Sequence, residues 1–311
     1  MSIITNKLHL PKNIYLVGIG GVSMSGIAQH LHNNGYHVAG SDRTQNEYTQ
    51  RLKSIGVDVQ REDESIANYQ LVVKTSAVRD NHPQVVQATL LGIPVVIREQ
   101  VLGEIFDNFA TRIAICGTHG KTTATGLMHH VLHKCGIAHT AFVGGSYQNN
   151  NYFGGGDIVV AEACEYNSSF LQLHPTHTLC LNVEHDHPDC FDTVAEVDNA
   201  LGKFFEHSQV VVLPKNLQKL CTNGVFCDQF CAQNVLLTPR CTTFDLYHEA
   251  QFVCKIKMPL VGAHNVQNAL AVVSLCHALN LPLMEVCHAL GTFHGVTRRW
   301  TELPYKCKLV C

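Results

Sequence analysis

The chain has 311 residues, 22 Lys and Arg against 25 Asp and Glu, a net charge of -3, 46% hydrophobic and 15% charged residues. That balance excludes a disordered chain and a polyanion-attracting field, and no basic stripe with interleaved aromatics marks a nucleic-acid partner. No uninterrupted apolar run reaches about 18 residues, so no membrane span is expected. The length suits two domains and a large core.

The first segment predicts alternating strands and helices. Ile14 to Val17 reads as a strand, and Gly18-Ile19-Gly20-Gly21-Val22-Ser23-Met24-Ser25-Gly26 as a turn opening a helix to about Asn34. Tyr36 to Ala39 is a second strand, closed by Gly40-Ser41-Asp42. Leu71–Lys74 and Pro94–Ile97 follow as strands, with a helix over Gln84–Leu91 between them. This β-α-β alternation implies a parallel, doubly wound sheet, which takes ligands outside the carboxyl ends of its strands. The 18–26 turn resembles a dinucleotide fingerprint with Ser23 in place of its third Gly, and Asp42 falls where a ribose contact would lie. Alone, the turn fits NAD, FAD or the pyrophosphate of a UDP-sugar equally well. Lys12 before the apolar run Ile14–Val17 could imitate a secretory signal, but the Gly spacing fits a phosphate turn better. Without a signal, the fourteen Cys are expected to be reduced thiols in a cytoplasmic chain.

Glu99–Asn108 predicts a helix and hinge, and a second α/β unit begins at Thr111. Residues Ile113 to Thr123 read I-A-I-C-G-T-H-G-K-T-T, the most informative stretch in the chain. A β-branched run enters a Gly-bounded loop, and Thr122 to Cys135 continues as a helix stopped by Gly136. The longer phosphate-loop pattern would need Gly at 115, where Ile stands, so this is the shorter G-T-x-G-K-T form. Unpaired N–H groups and the helix dipole favour an anion there. Lys121 adds a charge for β/γ-phosphates, and the Thr122 hydroxyl can ligate Mg2+. The loop points to a nucleoside-triphosphate user.

Further strands are expected at Asp157–Ala161, ending in Glu162, at Thr178–Val183, followed by Glu184-His185-Asp186-His187, and at Val210–Leu213. The parallel arrangement would bring Lys121, Thr122, Glu162 and His187 to one rim, with Glu162 and Thr122 on a first Mg2+ and His187 near a second. Residues 215–258 are weakly patterned and suggest turns and short strands. Cys221, Cys227, Cys231 and Cys241 cluster but lack paired C-x-x-C spacing, which favours scattered free thiols over a metal site. His264–Asn280 predicts a helix whose Asn265 and Asn268 lie three apart. These could read adenine, or Asn265 could cap the helix with Asn268 exposed. Arg298 and Arg299 form a basic pair suited to phosphate or carboxylate.

These residues together resemble the Mur ligase family. The likeness runs through Gly18–Gly26, Gly40-Ser41-Asp42, Thr75-Ser76-Ala77 and Gly117-Thr118-His119-Gly120-Lys121-Thr122-Thr123. It continues through Glu162-Ala163-Cys164-Glu165-Tyr166 with Ser169-Phe170-Leu171, and through Asn182-Val183-Glu184 with Asp186-His187. It ends at Gly262-Ala263-His264-Asn265 with Asn268-Ala269 and at Gly295-Val296 with Arg298-Arg299. Pro188 departs from the family, which usually has Leu or Met there.

The resemblance implies an α/β chain with an N-terminal Rossmann-like UDP-sugar-binding domain at 1–108 and a central P-loop-type ATPase domain with a parallel sheet at 109–300. Residues 301–311 would be a linker remnant, and the family's third, Rossmann-like domain is absent. It implies ATP and Mg2+ as cofactors, UDP-N-acetylmuramate and L-alanine as substrates, and amide formation through an acyl phosphate in peptidoglycan precursor synthesis. A separately encoded C-terminal domain would then be a partner. Lys121, Glu162 and His187 would be catalytic, and Thr122, Glu162 and His187 would hold metal. Residues 117–123 with Asn265 and Asn268 would bind ATP. Gly18, Gly20, Gly21, Ser23, Met24, Ser25, Asp42, Ser76, Arg298 and Arg299 would bind the uridylyl substrate, and Glu165 would orient the site. Two other readings stay open: a non-catalytic UDP-sugar scaffold of the same descent, and a nicotinamide-dependent dehydrogenase resting on the 18–26 turn.

Overall fold

In the computed structural model, residues 9–144, 151–164, 170–184 and 194–296 are described. The first unit runs β1 (Asn13–Val17), α1 (Val22–Asn33), β2 (His37–Ser41), α2 (Glu47–Ser54), β3 (Asp58–Gln60), β4 (Leu71–Lys74), α3 (Pro83–Leu90), β5 (Val95–Ile97) and α4 (Arg98–Asp107). Its five strands lie in the order β3-β2-β1-β4-β5, all parallel. The chain reverses direction across the sheet between β1 and β4, so the β1–α1 turn opens into the crevice where such sheets bind ligands.

The second unit comprises β6 (Thr111–Cys116), α5 (Lys121–Lys134), β7 (Thr140–Phe142), β8 (Asn151–Phe153), β9 (Ile158–Glu162), β10 (His177–Cys180), α6 (Val194–Phe205), β11 (Val210–Leu213) and β12 (Val225–Phe226). The sheet order is β12-β11-β10-β6-β9-β7-β8, parallel except for the edge strand β8. β6 therefore lies between β9 and β10, with Ile115 opposite both Glu162 and Leu179. Its residues Ile113 to Cys116 are buried on both faces, as helices on either side of a parallel sheet require. The helix α5 is itself buried along almost its whole length.

A third sheet follows: β13 (Phe230–Leu237), β14 (Thr242–His248) and β15 (Gln251–Met258), fully antiparallel, then α7 (Ala263–Ala278) and α8 (Leu283–Leu290). This corrects the expectation of turns and short strands over 215–258. The outer end of β13 is exposed and lacks alternation, with Leu236 at 60% exposure, so period two is invisible there. One apolar cluster packs α5, α7 and α8 with the second and third sheets. A second cluster runs from β1 and α1 through α4 into β6, β9 and α6, tying the two units together.

One strand ends earlier than its composition suggests. β10 stops at Cys180 rather than continuing to Val183. Beyond Leu181 the segment pairs with the phosphate loop instead of a neighbouring strand, Thr118 N–H donating to Asn182 O at 3.1 Å.

Candidate active site

The loop 117–120 joins β6 to α5. Gly117 (φ +131°) and Gly120 (φ +85°) adopt backbone angles that favour glycine, and both lie where a Cβ would collide. A Cβ on Gly120 would sit 2.6 Å from the Asn268 carboxamide oxygen, and one on Gly117 would sit 2.9 Å from the Asn182 carbonyl. Lys121 is folded back over the loop, its ammonium donating to Gly117 O at 2.6 Å and Thr118 O at 3.1 Å. The side chain is thus held over the loop at the carboxyl end of β6.

Thr122 is buried, and its hydroxyl donates to Glu162 Oε2 at 3.3 Å. The other carboxylate oxygen accepts the Gly144 N–H at 2.7 Å. Gly144 permits this approach because a Cβ there would sit 2.6 Å from the carboxylate. A hydroxyl and an oriented carboxylate beside a lysine make a hard-oxygen donor set of the type Mg2+ prefers. Glu184 stands across the loop, 3.6 Å from His119 Nε2, both side chains well exposed.

Asn265 and Asn268 are both buried, which corrects the alternative of an exposed Asn268. They do different things. Asn265 donates to Val261 O at 2.8 Å and lines a cavity of 640 Å³ with Thr123, Arg240, His264 and His294. Asn268 lies against Gly120 and lines a neighbouring 930 Å³ cavity bounded by His119, Pro214, Phe230 and Leu270. That second cavity is lined by apolar and polar side chains together, among them Phe230, Leu270 and Gln267, and it reaches the 117–120 loop at His119 and Gly120. Within the described residues, no group of three or more His, Cys, Asp or Glu is placed to hold a metal ion, and the described cysteines are free thiols.

The first turn is built differently. Gly18 and Ile19 N–H groups donate to Ser41 O, and Asp42 Oδ2 accepts the Gly20 N–H at 2.9 Å. The Asp42 carboxylate also accepts from Thr44. Asp42 therefore grips the turn as well as standing where a ribose contact was expected. Ser23 is half-buried at the start of α1, and Ser76 is exposed at the carboxyl end of β4. Met24 corrects the sequence reading: its side chain is 1% exposed and packs in the core, leaving only its main chain for a ligand. Ser25 is likewise buried, donating to Val22 O. His187, Glu165, Arg298 and Arg299 lie outside the described residues.

The Mur ligase family's catalytic-domain profile matches residues 13–110, and its middle-domain profile matches residues 115–276. The chain belongs to the Mur ligase family. Its motifs thus sit on the scaffold of ATP-dependent, amide-bond-forming ligases. The chain is 36% identical over 309 residues to the UDP-N-acetylmuramate--L-alanine ligase of Geobacter sp. (strain M21), covering 93% of this chain and 67% of the relative. It is 32% identical over 308 residues to the enzyme of the same name from Clostridium novyi (strain NT), with the same coverage. The chain therefore spans about two thirds of the length of these relatives. Among solved structures, the UDP-N-acetylmuramate-alanine ligase of Thermotoga maritima superposes with a TM-score of 0.83 at 29% identity, over 92% of this chain and 70% of that one. No described helix is long and apolar enough to cross a membrane.

Proposed function

We propose that this Mur ligase chain binds ATP with Mg2+ and UDP-N-acetylmuramate, and serves the joining of L-alanine to the lactyl carboxylate through an acyl phosphate. The observation that carries this reading is the 3.3 Å contact of Thr122 with Glu162 beside Lys121, at the centre of the parallel sheet. The named activity of the relatives supplies the substrates. Residues 1–108 would hold the uridylyl part on the 18–26 turn, and residues 109–300 would hold ATP.

The residues present fit Mg2+, since Thr122 and Glu162 offer hard oxygens and the Gly144 N–H fixes the carboxylate. When bound, the metal would neutralise charge on the β- and γ-phosphate oxygens. Lys121 would swing from the loop carbonyls onto the transferred phosphoryl group and stabilise its charge during attack by the carboxylate. The amine of L-alanine would then displace phosphate. Asn268 would border the base pocket, and Asn265 would hold the start of α7. His187 at a second metal, and Arg298 with Arg299 on substrate phosphates, complete the set on the family resemblance.

The test is calorimetry of this chain with Mg·ATP and with UDP-N-acetylmuramate, alongside an amide-product assay with L-alanine. Binding of both ligands supports the reading. UDP-sugar binding without ATP binding would replace it with the non-catalytic scaffold.

A further inference from the structure

The phosphate loop has a second support that the sequence motif does not announce. Asn182, 63 residues downstream of His119, uses both ends of its carboxamide on the main chain of that one residue. Its Oδ1 accepts the His119 N–H at 2.8 Å, and its Nδ2 donates to His119 O at 3.0 Å. The surrounding pairing has the same sense. Thr118 N–H donates to Asn182 O at 3.1 Å, and the Glu184 N–H donates to Thr118 Oγ1 at 2.9 Å. The close approach of Gly117 to the Asn182 main chain makes room for all of it.

We propose that Asn182 is a positioning residue that holds the phosphate loop in its anion-receptive shape before nucleotide arrives. This rests on the nucleotide reading above and adds to it the part that preorganises the loop. A loop of four residues between a strand and a helix has many conformations, and most aim its N–H groups apart. Fixing both main-chain groups of the central residue removes that freedom in advance, so the ordering cost is not charged against binding. A carboxamide suits this, because one end accepts while the other donates. A carboxylate keeps the acceptor, loses the donor and adds negative charge beside the anion site.

The experiment compares the full chain with Asn182→Ala and Asn182→Asp by three readouts. These are amide hydrogen exchange at His119 without nucleotide, Mg·ATP affinity by calorimetry, and the melting temperature without nucleotide. Asn182→Ala should speed His119 exchange about tenfold and weaken Mg·ATP about tenfold, as loss of two hydrogen bonds implies. Exchange at Val272 inside α7 should not change, and the melting temperature should fall by no more than about 5 °C. Asn182→Asp should keep the His119 N–H protected yet bind Mg·ATP at least as weakly as the alanine variant. Unchanged affinity in Asn182→Ala, unchanged His119 exchange, or acceleration at His119 and Val272 together would overturn the proposal. If the parent chain binds no Mg·ATP, the functional reading fails and a role in anion binding fails with it. The exchange measurement still decides separately whether the clamp exists.

Discussion

The two glycine turns of this chain sit at equivalent places, each between the first strand of a parallel sheet and the helix that follows, yet they are braced by opposite chemistry. The first is gripped by a carboxylate, Asp42, and no Lys or Arg lies between Gly18 and Gly26. The second is gripped by a neutral amide, Asn182, and carries Lys121 at its exit with Thr122 and Glu162 beside it. On the proposed reading a fixed negative brace is tolerable at the first turn, which would only have to hold a diphosphate. It would be costly where a polyphosphate must be gathered and its charge moved. On that reading the first turn would serve grip and the second chemistry.

The sharpest way to break this contrast is Lys121→Ala. Mg·ATP affinity should fall about 10- to 100-fold, the scale of a charge-assisted contact, while UDP-N-acetylmuramate affinity stays within about twofold. Equal losses for both ligands in calorimetry would erase the distinction. Asp42→Ala should do the reverse, weakening UDP-N-acetylmuramate about tenfold by freeing Gly20 and leaving Mg·ATP unchanged. Gly144→Ala is a subtler probe. Its new methyl would press on the Glu162 carboxylate, so the Mg2+ concentration giving half-maximal ATP binding should rise about threefold to tenfold. A metal titration that does not shift would separate Gly144 from the metal site.

The smallest effect on the contrast comes from acid, because a buried histidine on α5 and a half-buried one on α1 resist protonation. Burial, helped by neighbouring His139, pushes His129 on α5 down to about 3, and burial pushes His30 on α1 down to about 4. A lowered folded value means the unfolded chain takes up the proton first. Stability from these groups is complete above about 6.5 and drains away as pH falls toward the folded values. For His129 the slope approaches about 1.4 kcal/mol per pH unit below 6. His174 runs the other way: its hydrogen bond to Asp107 raises its pKa, so its contribution is present at low pH and lost as pH rises through the folded value. Thermal melts at pH 7 and pH 5.5 should show a lower midpoint at pH 5.5, with the drop reduced in His129→Gln. An equal drop in that variant would place the acid sensitivity elsewhere.

The central strands of the parallel sheets were legible in the sequence because they are short apolar runs bounded by turn signals, whereas the parallel strands β3, β7 and β12, only two or three residues long, were not. Both glycine turns were legible from their Gly spacing. The partners of those turns were not. Asn182 lies in a stretch that reads as strand, and its carboxamide's target is visible only once β10 lies next to β6. Met24 failed in the opposite direction. It stands inside the turn motif, but the helix beginning at Val22 rotates it into the core, and a motif read as a string does not contain that rotation. The helices α2 and α8 also escaped, being only eight residues each, and so did the antiparallel sheet over 230–258, whose outer strand end is exposed and does not alternate.

The sheet orders also carry a consequence for the order of synthesis. The strands flanking β1 have all been synthesised once β4 at Leu71–Lys74 is made, so the first turn can mature early. β6 must wait for both β9 and β10, the latter ending at Cys180, before it has a neighbour on either side. During that interval of translation its apolar edges are open to wrong pairing. The half of the molecule that would do the chemistry is therefore the half that a nascent chain must protect longest.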